Sequence, residues 1–384
     1  MSLRHPRRTV APDDGAGVLR AARPGVVRPG STHPAAARPH VAARLEDAFD
    51  RVVAARLRAR GWTVRIEPYT GYGGDGWVRV LARTLLAAPG VGDDDLPGTD
   101  APARAVRGWR SFATAQVAGA PVTVQVGDRT HALVTDRGGY VDQVVASDLE
   151  PGWHEVVLTS VDGSRASAAV QVVGPETRHG IVSDIDDTVV VTRLPRPLVA
   201  AWNVLVRHGA AREPVPGMAE LYRELLADAP DSPVVYLSTG AWNAAPAMSR
   251  FLRRGGYPRG AMLMTDWGPT NTGWFRSGAR HKAAQLRRLV HELPHVRWVL
   301  VGDDGQHDPE IYAGAAQRYP DRVHAILLRQ LTFSEHVLAH GVGVPAPATA
   351  RAERDALRDG VSVLQGADGR SLLRAIRARG IRLD

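Results

Sequence analysis

The chain has 384 residues, 44% of them hydrophobic, which is room for two domains with sizeable cores and excludes global disorder. It contains no cysteine, so disulfide scaffolds, thiolate metal sites and cysteine nucleophiles are excluded. The formal charge of +8 is concentrated, with twelve Arg against five acids in residues 1–60, so the high pI marks a basic leader rather than a folded nucleic-acid face, and no nucleic-acid partner is expected.

No apolar run reaches the length of a membrane span, and no apolar segment follows the first arginines as a signal peptide would require. The expected location is cytoplasmic, with contact at the membrane periphery as the open alternative. Only one of the 48 basic residues is lysine, Lys282. A compact ammonium kept in a chain that otherwise uses Arg points to a tight site, though composition alone leaves chance open.

Residues 1–40 read as a disordered leader, broken by Pro6, Pro12, Pro24, Pro29, Pro34 and Pro39. From Val41 to Arg60 the period becomes helical, with Leu45, Phe49, Val52, Val53 and Leu57 on one face. That helix could lie on an anionic membrane, but packing on its own domain is the preferred reading. Between Trp62 and Val173 the period shortens to two. Strand-like segments alternate with turn signals such as Gly-Asp at 127–128 and Asp-Gly at 162–163, and the expectation is an antiparallel β-sandwich spanning, with the helix, residues 41–175. Asp93, Asp94 and Asp95 read as a solvated loop in preference to a cation site.

From Gly180 strand-like runs (IVSD, PVVYLS, AMLMTD, WVLVGD, VHAILL) alternate with helical stretches at 243–255, 279–292 and 309–318. This grammar predicts a parallel, doubly wound α/β sheet, with its chemistry at the carboxyl ends of the strands. Residues 341–384 read as a helical extension, with the last helix near Ser371–Arg379.

The sharpest string is IVSDIDDTVVVT at 181–192. Carboxylates two apart at a strand end repel one another and call for a counter-cation. One division of labour makes the first a nucleophile toward phosphorus and the second a proton donor to the leaving alkoxide. A calcium loop is the structural rival, but the VVV run lacks its ligand spacing.

DIDDT, followed in order by Ser238, Lys282 and GDDGQHD at 302–308, resembles the motif series of the haloacid dehalogenase-like phosphatases. HKAAQLRRL, VLVGDDGQHDPEIY and VHAILLRQ are similar to the App1 family of phosphatidate phosphatases, whose catalytic region, formerly DUF2183, would by this resemblance cover residues 178–340, and YTGYGGDGWVRVLART resembles the segment that precedes that region. The resemblance implies a Rossmann-like fold, Mg2+ as cofactor and a phosphorylated substrate, first of all phosphatidate in a membrane.

It further implies that Asp184 is the nucleophile and a metal ligand, and that Asp186 is the general acid/base and ligates metal through its carbonyl. Thr188 would steady the Asp186 loop, Ser238 would hydrogen-bond the phosphoryl group, and Lys282 would pair with both nucleophile and phosphoryl. Asp303 would complete the metal site and Asp308 would be the spaced second acid. Two departures stand out. Asp304 occupies a position that is often small in the family, so it could share the metal role. TGAWN after Ser238 differs from the fungal continuation, which leaves lipid specificity open.

His307, His281 and Arg276 are further polar residues near the motifs, and Trp202, Trp242, Trp267 and Trp274 are read mainly as core. The alternatives to a phosphatidate phosphatase are a phosphatase for a protein or soluble metabolite, and a non-catalytic lipid-binding scaffold. Against the scaffold stands the intact set of Asp184, Asp186, Ser238, Lys282 and Asp303. Acyl chains, oligomeric state and the roles of sandwich and leader are not legible.

Overall fold

The structure, a computed structural model, describes residues 52–89, 116–191, 213–265, 278–305, 307–332, 335 and 360–381. The leader, Asp93–Asp95, Trp202, Trp267, Trp274 and Arg276 lie outside the described residues. Residues 52–58 are helical, and Ala54 and Leu57 pack with Trp62 against Val64, Leu86, Val117 and Ala120, the packing preferred from the sequence.

Seven strands follow: β1 (Thr63–Gly74), β2 (Trp77–Ala87), β3 (Pro121–Val126), β4 (Arg129–Val134), β5 (Tyr140–Ala146), β6 (Gly152–Ser160) and β7 (Arg165–Val172). They form a single sheet in the order β4-β3-β6-β7-β1-β2-β5. All neighbours are antiparallel except β1 and β7, which run parallel. The sheet curls until its edges meet, where the Gln143 amide on β5 donates to the Val134 carbonyl of β4 at 2.9 Å. Every strand sends apolar side chains into one enclosed cluster, among them Ile66, Val80, Val124, Leu133, Val145 and Leu158.

The second half contains β8 (His179–Asp184), the short pair β9 (Val190–Val191) and β10 (Glu213–Pro214), α1 (Met218–Leu225), β11 (Val234–Ala241), α2 (Ala245–Arg254), β12 (Ala261–Thr265), α3 (Gly278–Glu292), β13 (Arg297–Asp303), α4 (Asp308–Arg318), β14 (Val323–Arg329), β15 (Ser362–Gly366) and α5 (Gly369–Arg379). Its main sheet has six strands in the order β12-β11-β8-β13-β14-β15, every pair parallel. β8 is buried along its whole length and β11 from Val234 to Ser238, as strands covered on both faces must be. Because they are parallel, β8, β11 and β13 bring their carboxyl ends, with Asp184, Ser238 and Asp303, to one edge.

The two sheets share a core. Tyr69, Tyr72 and Leu81 belong to the same apolar cluster as Val182, Leu289 and Trp298. A polar clamp lies across the contact. Arg79 pairs with Glu292 of α3 and with Asp142 of β5 at 2.5 Å, Arg288 reaches Asp142 at 2.8 Å, and the Tyr72 hydroxyl donates to Glu292 at 2.6 Å.

The fold class expected from the sequence does not describe this molecule. The first half is one mixed, nearly closed barrel sheet, not an all-β sandwich. The second is a separate all-parallel sheet and does not stand clearly as the expected haloacid dehalogenase-like Rossmann fold, and strands dominate the described residues. The physical reason is that period-two alternation reports one buried face per strand and says nothing of pairing, so a sandwich and a curled sheet read alike. Strands of twelve and eleven residues, with a register shift between Tyr69 and Tyr72, let β1 and β2 coil around the cluster instead of lying flat. Ser362–Gly366, read as part of a helical extension, is the sixth parallel strand, in register with Ala325–Arg329.

Candidate active site

Asp184 is the last residue of β8, and the chain then turns sharply. The amides of Val189 and Val190 both donate to the Ile185 carbonyl, at 3.0 and 3.2 Å. The turn forces Asp187 into the left-handed region, at a φ of 57°. Thr188 donates from its hydroxyl to Asp184 Oδ2 at 3.3 Å, so it touches the first acid of the motif directly.

Lys282 enters from the first turns of α3 and is 2% exposed. Its Nζ lies 2.6 Å from Asp184 Oδ1 and 2.7 Å from Asp308 Oδ1. Asp303 closes β13, and one carboxylate oxygen from each of Asp184, Asp303 and Asp308 lies within 4.8 Å of the others. Asp308 reaches this point because it opens α4 directly beyond β13 and because Gly302 has no side chain. A Cβ at Gly302 would stand 2.6 Å from Asp308 Oδ2 and 2.8 Å from the Tyr312 ring.

Three carboxylates against one ammonium leave an excess of negative charge in a buried place. Burial pushes the Asp184 carboxyl well above the usual carboxylate range; Lys282 pulls it back, while Asp308 and Asp186 push it further. Asp303 is raised by burial and then by Asp308 and Asp184. Burial works against a charged Lys282, but Asp184, Asp308 and Asp303 together outweigh it and hold the ammonium above its usual range.

Asp303 Oδ1 accepts the Gly305 amide at 2.7 Å, whereas Asp303 Oδ2 and Asp308 Oδ2 are buried with no hydrogen-bond partner among the described residues. Three carboxylates with one oxygen each within 4.8 Å of the others, two of the acids keeping an unpaired oxygen and with no softer donor among them, fit a hard divalent cation such as Mg2+.

The remaining predicted residues divide. Ser238 donates to Asp186 Oδ2 at 3.1 Å and accepts the Gly240 amide at 2.9 Å, which brings Asp186 and Ser238 together beside the cluster. The Asp186 side chain is not part of the three-acid group. Asp304 turns away from it, its Oδ1 accepting the Leu331 amide at 2.9 Å. His307 is exposed at the start of α4, and His281 is buried on α3. Trp242 stacks on Tyr69 with ring centroids 4.5 Å apart, a packing role at the seam between the sheets.

Sequence reasoning missed Tyr222 and Arg329. The Tyr222 hydroxyl lies 2.6 Å from Ser183 Oγ, which donates to the Asp184 carbonyl at 2.6 Å. Arg329 bonds the Asp187 carbonyl at 2.7 Å. The one available signal was a charged residue closing an apolar strand on the same edge as the acids.

Residues 179–330 match the family described as phosphatidate phosphatase APP1, catalytic domain. Phosphatidate phosphatase APP1 of Saccharomyces cerevisiae is 24% identical over 151 residues, 39% of this chain and 25% of that protein. An uncharacterised protein of Schizosaccharomyces pombe is 25% identical over 157 residues, 40% of this chain and 26% of its own length. The match therefore spans about a quarter of these curated relatives.

Among solved structures, a carbohydrate acetylesterase from Xanthomonas citri aligns over 83% of this chain and 76% of its own, at 12% identity and a TM-score of 0.29, a level at which neither fold nor activity carries over. The resemblance drawn from the sequence motifs holds for residues 179–330, which are similar to the APP1 catalytic-domain family.

Proposed function

We propose that the chain is a magnesium-dependent phosphomonoesterase that works through an aspartyl phosphate on Asp184, with phosphatidate as its first candidate substrate. The observation that carries the reading is Lys282, buried between Asp184 and Asp308 with Asp303 alongside. The similarity of residues 179–330 to the phosphatidate phosphatase APP1 catalytic domain supports it.

In this mechanism Asp184 attacks phosphorus through a carboxylate oxygen while the ester bond breaks. The departing alkoxide takes a proton from Asp186. Asp186, now ionised, takes a proton from the water that attacks the acyl phosphate, and phosphate leaves with Asp184 and the protonated Asp186 restored. Asp186 is suited to the proton work because Ser238 fixes its carboxyl at 3.1 Å, outside the three-acid cluster. Lys282 offsets the repulsion between one anion and another. Thr188 holds the oxygen of Asp184 that Lys282 does not. A divalent cation held by Asp184, Asp303 and Asp308, with the Asp186 carbonyl as a further donor, would supply the charge that keeps Asp184 ionised and neutralises the phosphoryl oxygens.

The test is hydrolysis of an aryl phosphate with magnesium and after chelation, by the native chain and by Asp184→Asn. The amide removes the attacking oxygen, so turnover is expected to vanish in the variant and on chelation while the melting temperature shows a folded protein. Near-native turnover by the Asn variant sinks the covalent mechanism. Hydrolysis that ignores chelation sinks the metal.

A further inference from the structure

Arg329 closes β14 in register with Asp303, on the edge of the sheet that carries the acid cluster. It is 4% exposed, yet its donors serve other groups. Nη1 donates to the Asp187 carbonyl at 2.7 Å, Nε to the Ala367 carbonyl at 3.3 Å, and Nη2 pairs with Glu335 at 2.6 Å. These three acceptors belong to three segments: the turn after β8, the turn between β15 and α5, and the stretch beyond β14. Glu335 balances the buried charge and is itself fixed by the Thr332 amide and hydroxyl, at 2.8 and 2.9 Å.

Asp187 is the one non-glycine residue with positive φ among the described residues. Such a backbone state persists only where its surroundings over-determine it. Within the turn, the Ile185 carbonyl takes the Val189 and Val190 amides, and the carbonyl of Asp187 points instead at Arg329. Asp187 lies between Asp186 and Thr188, so any relaxation of its φ re-aims both neighbours and with them the Ser238 and Asp184 contacts.

We propose that Arg329 is a positioning residue: its fork holds the left-handed turn that aims Asp186 and Thr188. This deepens the phosphatase reading and rests on it. Lysine, a single compact charge, cannot reach three acceptors on three segments.

The experiment compares the full-length native chain with Arg329→Gln and Arg329→Lys, measuring kcat and KM on an aryl phosphate with magnesium, and amide hydrogen exchange by peptide. In the Gln variant kcat is expected to fall roughly tenfold or more, since misplacement on the order of 1 Å costs up to about a hundredfold. KM stays within about threefold, because loss of transition-state alignment is not loss of ground-state binding. Exchange in the peptide covering residues 185–190 speeds up, while β3 and β6 exchange as in the native chain. Lys recovers part of both effects.

A Gln variant with native kcat overturns the proposal. So does unchanged exchange at 185–190, or exchange that rises evenly across both sheets and so reports general loosening. If the native chain hydrolyses no phosphate ester, it is the phosphatase reading that has failed, and the exchange comparison still decides whether Arg329 holds the turn.

Discussion

Lys282 occupies a gap whose two walls are carboxylate oxygens 2.6 and 2.7 Å from a single nitrogen. Arginine carries the same charge on a wider planar fork, which cannot take both short contacts without displacing Asp184 or Asp308. Lys282→Arg is therefore expected to lose activity by roughly two orders of magnitude, the ~3 kcal/mol typical of removing one preorganised electrostatic group. Steady-state kinetics alongside a melting curve checks it, and a fully active Arg variant would return the lone lysine to an accident of composition. The acids and the lysine that the structure brings together could be named from the sequence because polar side chains at the ends of apolar strands are rare and come in motif order. Asp308 could be named from its spacing to Asp303, and geometry then separated it from Asp304, whose carboxylate serves the Leu331 amide instead. Arg329 was not legible, because its purpose is three hydrogen bonds to segments distant in sequence, and no local pattern encodes those.

At the scale of elements, five strands of the parallel sheet and the helices at 245–254, 278–292, 308–318 and 369–379 could be read to within a few residues, because apolar runs alternate with helical stretches, whereas the helix Met218–Leu225 and the strand Ser362–Gly366 could not. Sheet architecture could not, since pairing depends on which faces find each other. The outward face of β1 shows the consequence. Tyr69 stacks on Trp242, and two residues earlier on the same face Glu67 is 5% exposed, with Oε1 unpartnered among the described residues. Alternation alone would have placed such a carboxylate in solvent. Burial pushes its pKa up to about 7, against the pull of Arg250 and Arg83. Because the folded state holds this proton more tightly than the unfolded chain, the stability tied to it is full below the ordinary carboxylate range and is lost as pH rises through about 7. Glu67→Gln mimics the protonated form, so it is expected to melt with the native chain at low pH and above it at high pH. The gain is at most roughly 3 kcal/mol, by the usual conversion of a shift of this size. Calorimetry at both ends of that range decides it, and a variant less stable than native at high pH would mean that the carboxylate is satisfied and useful where it lies.

At the scale of the molecule, the edge that carries Asp184, Ser238 and Asp303 has little chain available to cover it between β9 and α1. Residues 192–217 are all that remain there, because Met218, Leu221, Tyr222 and Leu225 of α1 are committed to the core. A phosphate presented at a membrane surface reaches this edge only if no segment closes over it. No helix among the described residues is long and apolar enough to cross a membrane. Charge is one source of attraction to a bilayer, and residues 1–40 hold seven Arg against two acids. Near an anionic surface each is worth about 1 kcal/mol, less as salt screens it. Truncation has to stop at that leader, because Ala54 and Leu57 cover the Val64, Leu86 and Val117 cluster and their removal would unsettle the barrel. The comparison is then between the full chain and a form lacking residues 1–40, each assayed on phosphatidate in anionic vesicles and on a soluble aryl phosphate, at low and high salt. Phosphatidate is expected to be the better substrate for the full chain. Loss of the leader should lower vesicle turnover and its salt dependence while sparing the soluble ester. Equal loss on both substrates would assign the leader to folding. Brisk hydrolysis of the soluble ester with no turnover of phosphatidate would overturn the lipid assignment and leave a phosphatase for a soluble or protein-borne phosphate.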